Sequence, residues 1–138
     1  MSDGLYDAAK MIFGEVENLE ILNLLPEDDG SKLNDKIFAA HEKVDQGNGV
    51  IIFTDLFEAT PFNQSTIAIH NLPVEKQQNT YVFSGVNLPM IFEVINQNMI
   101  GATLEDAIDK IEQSAKEGIV RWSMKDAVEA AADEDDDF

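Results

Sequence analysis

Two short stretches of this 138-residue chain hold side chains able to do chemistry. The first is "VIIFTDLFEATPFNQS", in which Asp55 follows a run of β-branched and aromatic residues and precedes Thr60 by five positions. Thr60 followed by Pro61 marks a helix start, because threonine caps and proline tolerates the first helical position. The free N–H groups of such a start make a natural cradle for an anion. A carboxylate beside an anion repels it, so Asp55 is better suited to hold a cation, a metal or the N–H of a histidine. On spacing alone it reads as a turn cap. The second stretch is "SGVNLPM", with Ser84, Gly85 and Asn87, and with Pro89 near another helix start. Gly85 permits an unusual backbone angle, and Asn87 can donate to a bound group. Alone, this segment reads as a well-formed loop.

The elements that must position these residues alternate between helix and strand. Leu5, Ala8, Ala9 and Ile12 make a helical stripe closed by Gly14. Residues 17–25 alternate as a strand ended by Pro26, and residues 31–46 carry the stripe Leu33, Ile37, Ala40 and Val44. Residues 50–55 form an apolar run of the kind buried on both faces of a parallel sheet. A helix from Thr60 to about residue 72, a strand over 79–85 and a short helix over 90–97 follow. A helix over 103–118 with Leu104, Ile108 and Ile111 on one face comes next, and residues 118–124 read as a last, mixed strand. This alternation specifies an α/β sheet with helices on both faces, whose ligands sit at the carboxyl ends of the strands. Both chemical stretches lie at that edge.

Composition narrows the partners. The net charge is −18, and removing Asp133, Glu134, Asp135, Asp136 and Asp137 still leaves −13. That excess disfavours nucleic acid and anionic membrane surfaces, and suits a partner with a basic docking face. There is no cysteine, hence no disulfide framework or thiolate metal site. With no apolar run of membrane-spanning length and no leader pattern, the chain is expected to be cytoplasmic. One domain over residues 1–125 and a disordered acidic tail over 126–138 are expected.

Taken together, in this order and separation, "VIIFTDLFEATPFNQS" and "SGVNLPMIFEV" resemble the mannose-type IIA component of the bacterial sugar phosphotransferase system. The likeness runs from "SDGLYDAAKMIFGE" to "EGIVRW". It implies a three-layer α/β/α fold with sheet order 2-1-3-4 and an added antiparallel edge strand. It also implies a phosphoryl relay without cofactor or metal. Phosphate passes from the phosphocarrier HPr to a histidine of the IIA domain, then to a IIB component serving a membrane permease. Asp55 matches the residue that orients this histidine and balances its charge. Thr60, Phe62 and Asn63 match the pocket-forming helix start, and Asn87, Pro89 and Met90 the facing loop. Residues 118–124 match a strand exchanged across a homodimer, which places Arg121 and Trp122 at the interface.

One part of the pattern has no counterpart. In the family a central strand ending in His-Gly precedes the segment matching "SDGLYDAAKM", where this chain has only Met1. His41, flanking an apolar stripe, and His70, about 15 Å along its helix from the Asp55 loop, are expected to be surface or boundary residues. The sequence as given is therefore expected not to accept phosphate. Without the strand, residues 17–25 have no neighbour to pair with, and the domain is not expected to survive that loss unaided. A misplaced translation start or an omission from the expressed chain accounts for this better than a degenerate paralogue, because the pocket is intact. Two other classes stay open: a binding module that engages HPr without chemistry, and a receiver-like domain phosphorylated on Asp55. The receiver ranks low, since "YVFSGVN" ends without the lysine it needs.

Overall fold

Strands β1 (Val50–Phe53) and β2 (Thr80–Phe83) pair in parallel at the centre of the molecule, with Val50 opposite Thr80 and Phe53 opposite Phe83. In this computed structural model, which describes residues 1–136, helices cover both faces of that pair. Strand alternation sends Ile51, Phe53 and Phe83 to one face and Ile52 to the other. The first face meets α5 (Leu88–Met99) and α6 (Leu104–Glu117) through Met90, Ala107, Ile111 and Ala115. The second meets α2 (Leu33–Val44) and α3 (Thr60–His70) through Leu33, Ile37 and Ala68. Phe53 and Phe83 stack at 5.9 Å between ring centres, so the register itself carries core packing. The expected α/β class and its helix–sheet–helix layering are present.

Helix faces follow the residues that can approach closely. On α6 the buried line is Ala107, Ile111 and Ala115, one turn apart. Its two alanines let α5 come near, and Ile111, wholly buried, contributes about 1.5–3 kcal/mol relative to exposure. Helix α1 (Ser2–Phe13) packs chiefly on α5, with Ala9 buried against Ile91 and Ile95 and Phe13 edge-on to Phe92 at 5.7 Å. That contact turns the helix away from the expected stripe, and Ile12 stands 63% exposed. A one-turn helix α4 (Val74–Gln77), which no sequence pattern marked, leads into β2.

Two expected strands are not formed. Residues 17–25 have no regular structure, and Leu22, Leu24 and Leu25 are exposed. A strand exists only by pairing its N–H and C=O groups, and among the described residues β1 and β2 pair only with each other. Residues 118–123 are likewise irregular, leaving Ile119, Val120 and Trp122 each at least 70% exposed. The stretch assigned to an acidic tail is helical, within α7 (Met124–Asp136), while residues 137–138 lie outside the described residues. Helix α7 has no extensive packing against any other described element. No described helix is long and apolar enough to cross a membrane.

Candidate functional site

The two chemical stretches meet at the carboxyl ends of the strands. Pairing continues past β1 and β2: the Thr54 N–H donates to the Phe83 carbonyl at 2.8 Å and the Val86 N–H to the Thr54 carbonyl at 3.0 Å. The Gly85 N–H donates to the Asp55 carbonyl at 3.1 Å, which fixes the two loops side by side. Gly85 has φ +74, the left-handed backbone that its lack of a Cβ permits. Thr54, buried beneath the site, is the residue that sequence reasoning missed. It looks like one more strand residue, and only the ladder reveals that it joins the loops.

Asp55 projects from this junction as an exposed side chain, free to meet a partner group. The turn after it runs to α3, whose cap is Ala59; Thr60 is the first helical residue and makes no side-chain cap. The first helical bond is Asn63 N–H to the Ala59 carbonyl, at 3.0 Å. Pro61 has no N–H, and those of Thr60 and Phe62 have no partner among the described residues, so the start of α3 offers donors. Phe62 meets Phe57 edge-on at 4.9 Å. Gly30, in a short 3-10 turn (Gly30–Lys32), comes so near that a Cβ there would lie 3.1 Å from Thr60 Cγ2.

The facing loop is more structural than its residue types suggest. Asn87 caps α5, its Oδ1 accepting from the Met90 N–H at 3.1 Å, while its amide donates to the Ala115 carbonyl at 3.1 Å. One carboxamide thus ties the start of α5 to the end of α6. Pro89 fills the space beside Gly118, where a Cβ would lie 2.4 Å from its Cγ. Met90 is buried in the core beside Ile111. Of this group, Gly85 stands at the rim and Asn87, Pro89 and Met90 hold the rim in place.

Neither histidine joins the site. His41 is 4% exposed, which corrects its expected surface or boundary position: it continues the buried line Leu33, Ile37 of α2. Its Nε2 lies 2.9 Å from Thr80 Oγ1, at the amino end of β2 and so at the opposite edge of the sheet from Asp55. His70 is exposed at the last residue of α3, an 11-residue helix about 16 Å long whose other end adjoins Asp55. Among the described residues, no three His, Cys, Asp or Glu side chains gather as a metal site.

This geometry has close counterparts. The chain is 26% identical over 130 residues to the PTS system mannose-specific EIIAB component of Escherichia coli strain K12, an alignment spanning 94% of this chain and 39% of that protein. It is 38% identical over 93 residues to the PTS system sorbose-specific EIIA component of Lacticaseibacillus casei, spanning 67% of this chain and 63% of the relative. The chain thus spans less than two thirds of the length of either. In three dimensions it matches the crystal structure of phosphotransferase system component EIIA from Streptococcus agalactiae. The TM-score is 0.72 at 28% identity, over 87% of this chain and 88% of that one. The family described as PTS system fructose IIA component, EIIA-man, matches residues 1–112, and that match covers both loops around Asp55: the chain belongs to this family of phosphotransferase IIA components.

Proposed function

We propose that this domain is a station in a cytoplasmic phosphoryl relay, receiving phosphate from HPr on a histidine and delivering it to a IIB component for sugar uptake. The observation that supports this most directly is the juxtaposition at the sheet edge. An exposed carboxylate, Asp55, stands beside the open first turn of α3, on loops locked together by backbone bonds. A phosphoryl group suits the N–H donors of that turn. A carboxylate beside it is useful only when a cationic or N–H-bearing group lies between them, and an imidazole supplies both. Asp55 would accept from one ring nitrogen while the other attacks phosphorus. The bond from phosphorus to the HPr nitrogen breaks as that to the IIA nitrogen forms. The work left to the protein is positioning and charge balance. Thr60 and Phe62 present the donors, Asn63 shapes the turn, and Asn87, Pro89 and Met90 hold the facing loop.

The two histidines in the sequence sit elsewhere, so the reading requires a histidine delivered beside Asp55. The outer edge of β1, unpaired among the described residues, is where a further strand ending in His-Gly would place it. The same strand would give the exposed leucines of residues 17–25 a neighbour.

The relay unit is proposed to be a homodimer. A groove of about 460 Å³ opens beside the carboxyl end of β2 and the loop that follows it, lined by Phe83, Gly85, Asn87, Glu112, Lys116 and Ile119 among others. The exposed segment 119–122 of a second copy suits it, being apolar and free to pair with an open strand edge. Arg121, which pairs with Asp126 at 3.7 Å, and Trp122 would lie in that interface.

Titration of the isotope-labelled chain with HPr tests the partner assignment. Amide shifts should concentrate on Asp55, Leu56, Thr60 and Gly85. No shift there, or shifts confined to the opposite sheet edge near His41, would contradict it.

A further inference from the structure

The turn between β1 and α3 contains an unusual residue. Glu58 has φ +62, a left-handed backbone that a side-chain-bearing residue rarely adopts. It has a visible restraint: Asn63 Nδ2 donates to the Glu58 carbonyl at 2.8 Å. On either side of the kink, the Ala59 N–H closes on the Leu56 carbonyl at 3.3 Å and the Asn63 N–H on the Ala59 carbonyl at 3.0 Å. The chain therefore reverses within residues 55–59. Leu56 and Phe57 stand outward, 64% and 60% exposed, yet Phe57 still rests edge-on against Phe62. The N–H groups of Thr60 and Phe62, without partners among the described residues, open beside the same reversal.

We propose that Asn63 is a positioning residue: its carboxamide holds the Glu58 kink, and so presents the Leu56–Phe57 pair and the open turn of α3 to the partner together. It acts through one of its two Nδ2 hydrogens, which goes to the Glu58 carbonyl rather than to the transferred group. Glu58 is the strained member of the pair and Asn63 the catch. Glycine at position 58 would take the same backbone without a side-chain penalty and make the catch dispensable. The inference rests on the relay reading only for the partner's identity; the kink and its restraint stand independently of it.

Amide exchange by NMR and HPr affinity by calorimetry, measured on wild type, Asn63→Ala, Glu58→Gly and the double variant, test it. Asn63→Ala should speed exchange of the Ala59 amide about fivefold, the size of one lost hydrogen bond, and weaken HPr binding by a similar factor. Glu58→Gly in that background should restore both. Slow exchange regained without regained affinity would overturn the proposal, since Asn63 would then contact the partner or its phosphate directly. Unchanged exchange in Asn63→Ala would overturn it as well. Absence of HPr binding by wild type would instead overturn the relay reading, and the exchange order of the four proteins would still decide whether Asn63 holds the kink.

Discussion

His41 shows how much a single side chain can commit to. The Thr80 hydroxyl donates its hydrogen to the Lys76 carbonyl at 2.8 Å, so its oxygen must accept from His41 Nε2–H. The Nδ1 of His41 is buried and has no hydrogen-bond partner among the described residues, so nothing there receives a second ring proton. Burial holds its pKa below the usual histidine value, helped by the Lys76 charge and opposed by Asp45 at the end of α2 and by Glu42. The unfolded chain therefore takes up a proton near pH 6.5 that the fold resists. Stability contributed by the neutral ring is fully present above that pH and is lost as pH falls toward the lowered folded value. The urea midpoint of wild type should fall on acidification from pH 7, and His41→Gln should remove that part of the slope, which cannot exceed about 1.4 kcal/mol per pH unit. Equal slopes would contradict this assignment. The site residues divide by the same test of commitment. The Asp55 side chain is exposed and has no hydrogen bond or ion pair among the described residues, whereas Asn87 bonds Met90 and Ala115. Residue type and spacing marked both, but only the fold shows that the Asn87 amide already has partners, one of them 28 positions away.

At the level of elements, the helices were legible because their buried lines repeat every turn, and β1 and β2 because continuous apolar runs suit a strand covered on both faces. The failures share a cause. Residues 17–25 and 118–123 have the alternation of strands, but a strand is made by its neighbour, and neither has one among the described residues. The stripe on α1 missed by a fraction of a turn because α5, not the sheet, decides which side is covered. Glu58 gave no signal, since nothing in "LFEAT" marks a left-handed residue. The start of α5 and the end of α6 are tied by one side chain. Asn87→Ala removes both a helix cap and the tie to the Ala115 carbonyl, and should cost about 1–3 kcal/mol in urea unfolding. A loss within a few tenths of a kcal/mol would mean that Asn87 is not what joins the two helices.

For the molecule as a whole, charge and exposed apolar surface set the expectations. A net charge of −18 favours a basic docking partner, and HPr association should slow markedly as salt rises from tens of millimolar to several hundred. Trp122 is the chain's only tryptophan and stands 70% exposed, so it reports on the proposed dimer. Sedimentation should give twice the chain mass of 15.3 kDa, with emission at shorter wavelength than free tryptophan. Trp122→Asp should return the mass to that of one chain. A wild-type monomer with solvent-like emission would exclude the exchanged strand. Among the described residues the sheet is the β1–β2 pair alone, in place of the four-stranded order 2-1-3-4 that the resemblance implied.

On the proposed relay, Asp55 and the start of α3 serve a histidine brought beside them. Phosphoenolpyruvate-driven labelling tests it, using the general phosphotransferase proteins on the chain as given and on one extended by an apolar strand ending in His-Gly. Acid-labile label is expected on the extended chain alone, and should be lost when that histidine is replaced. Label of equal extent on the chain as given would contradict it, because the nucleophile would then be a residue already present.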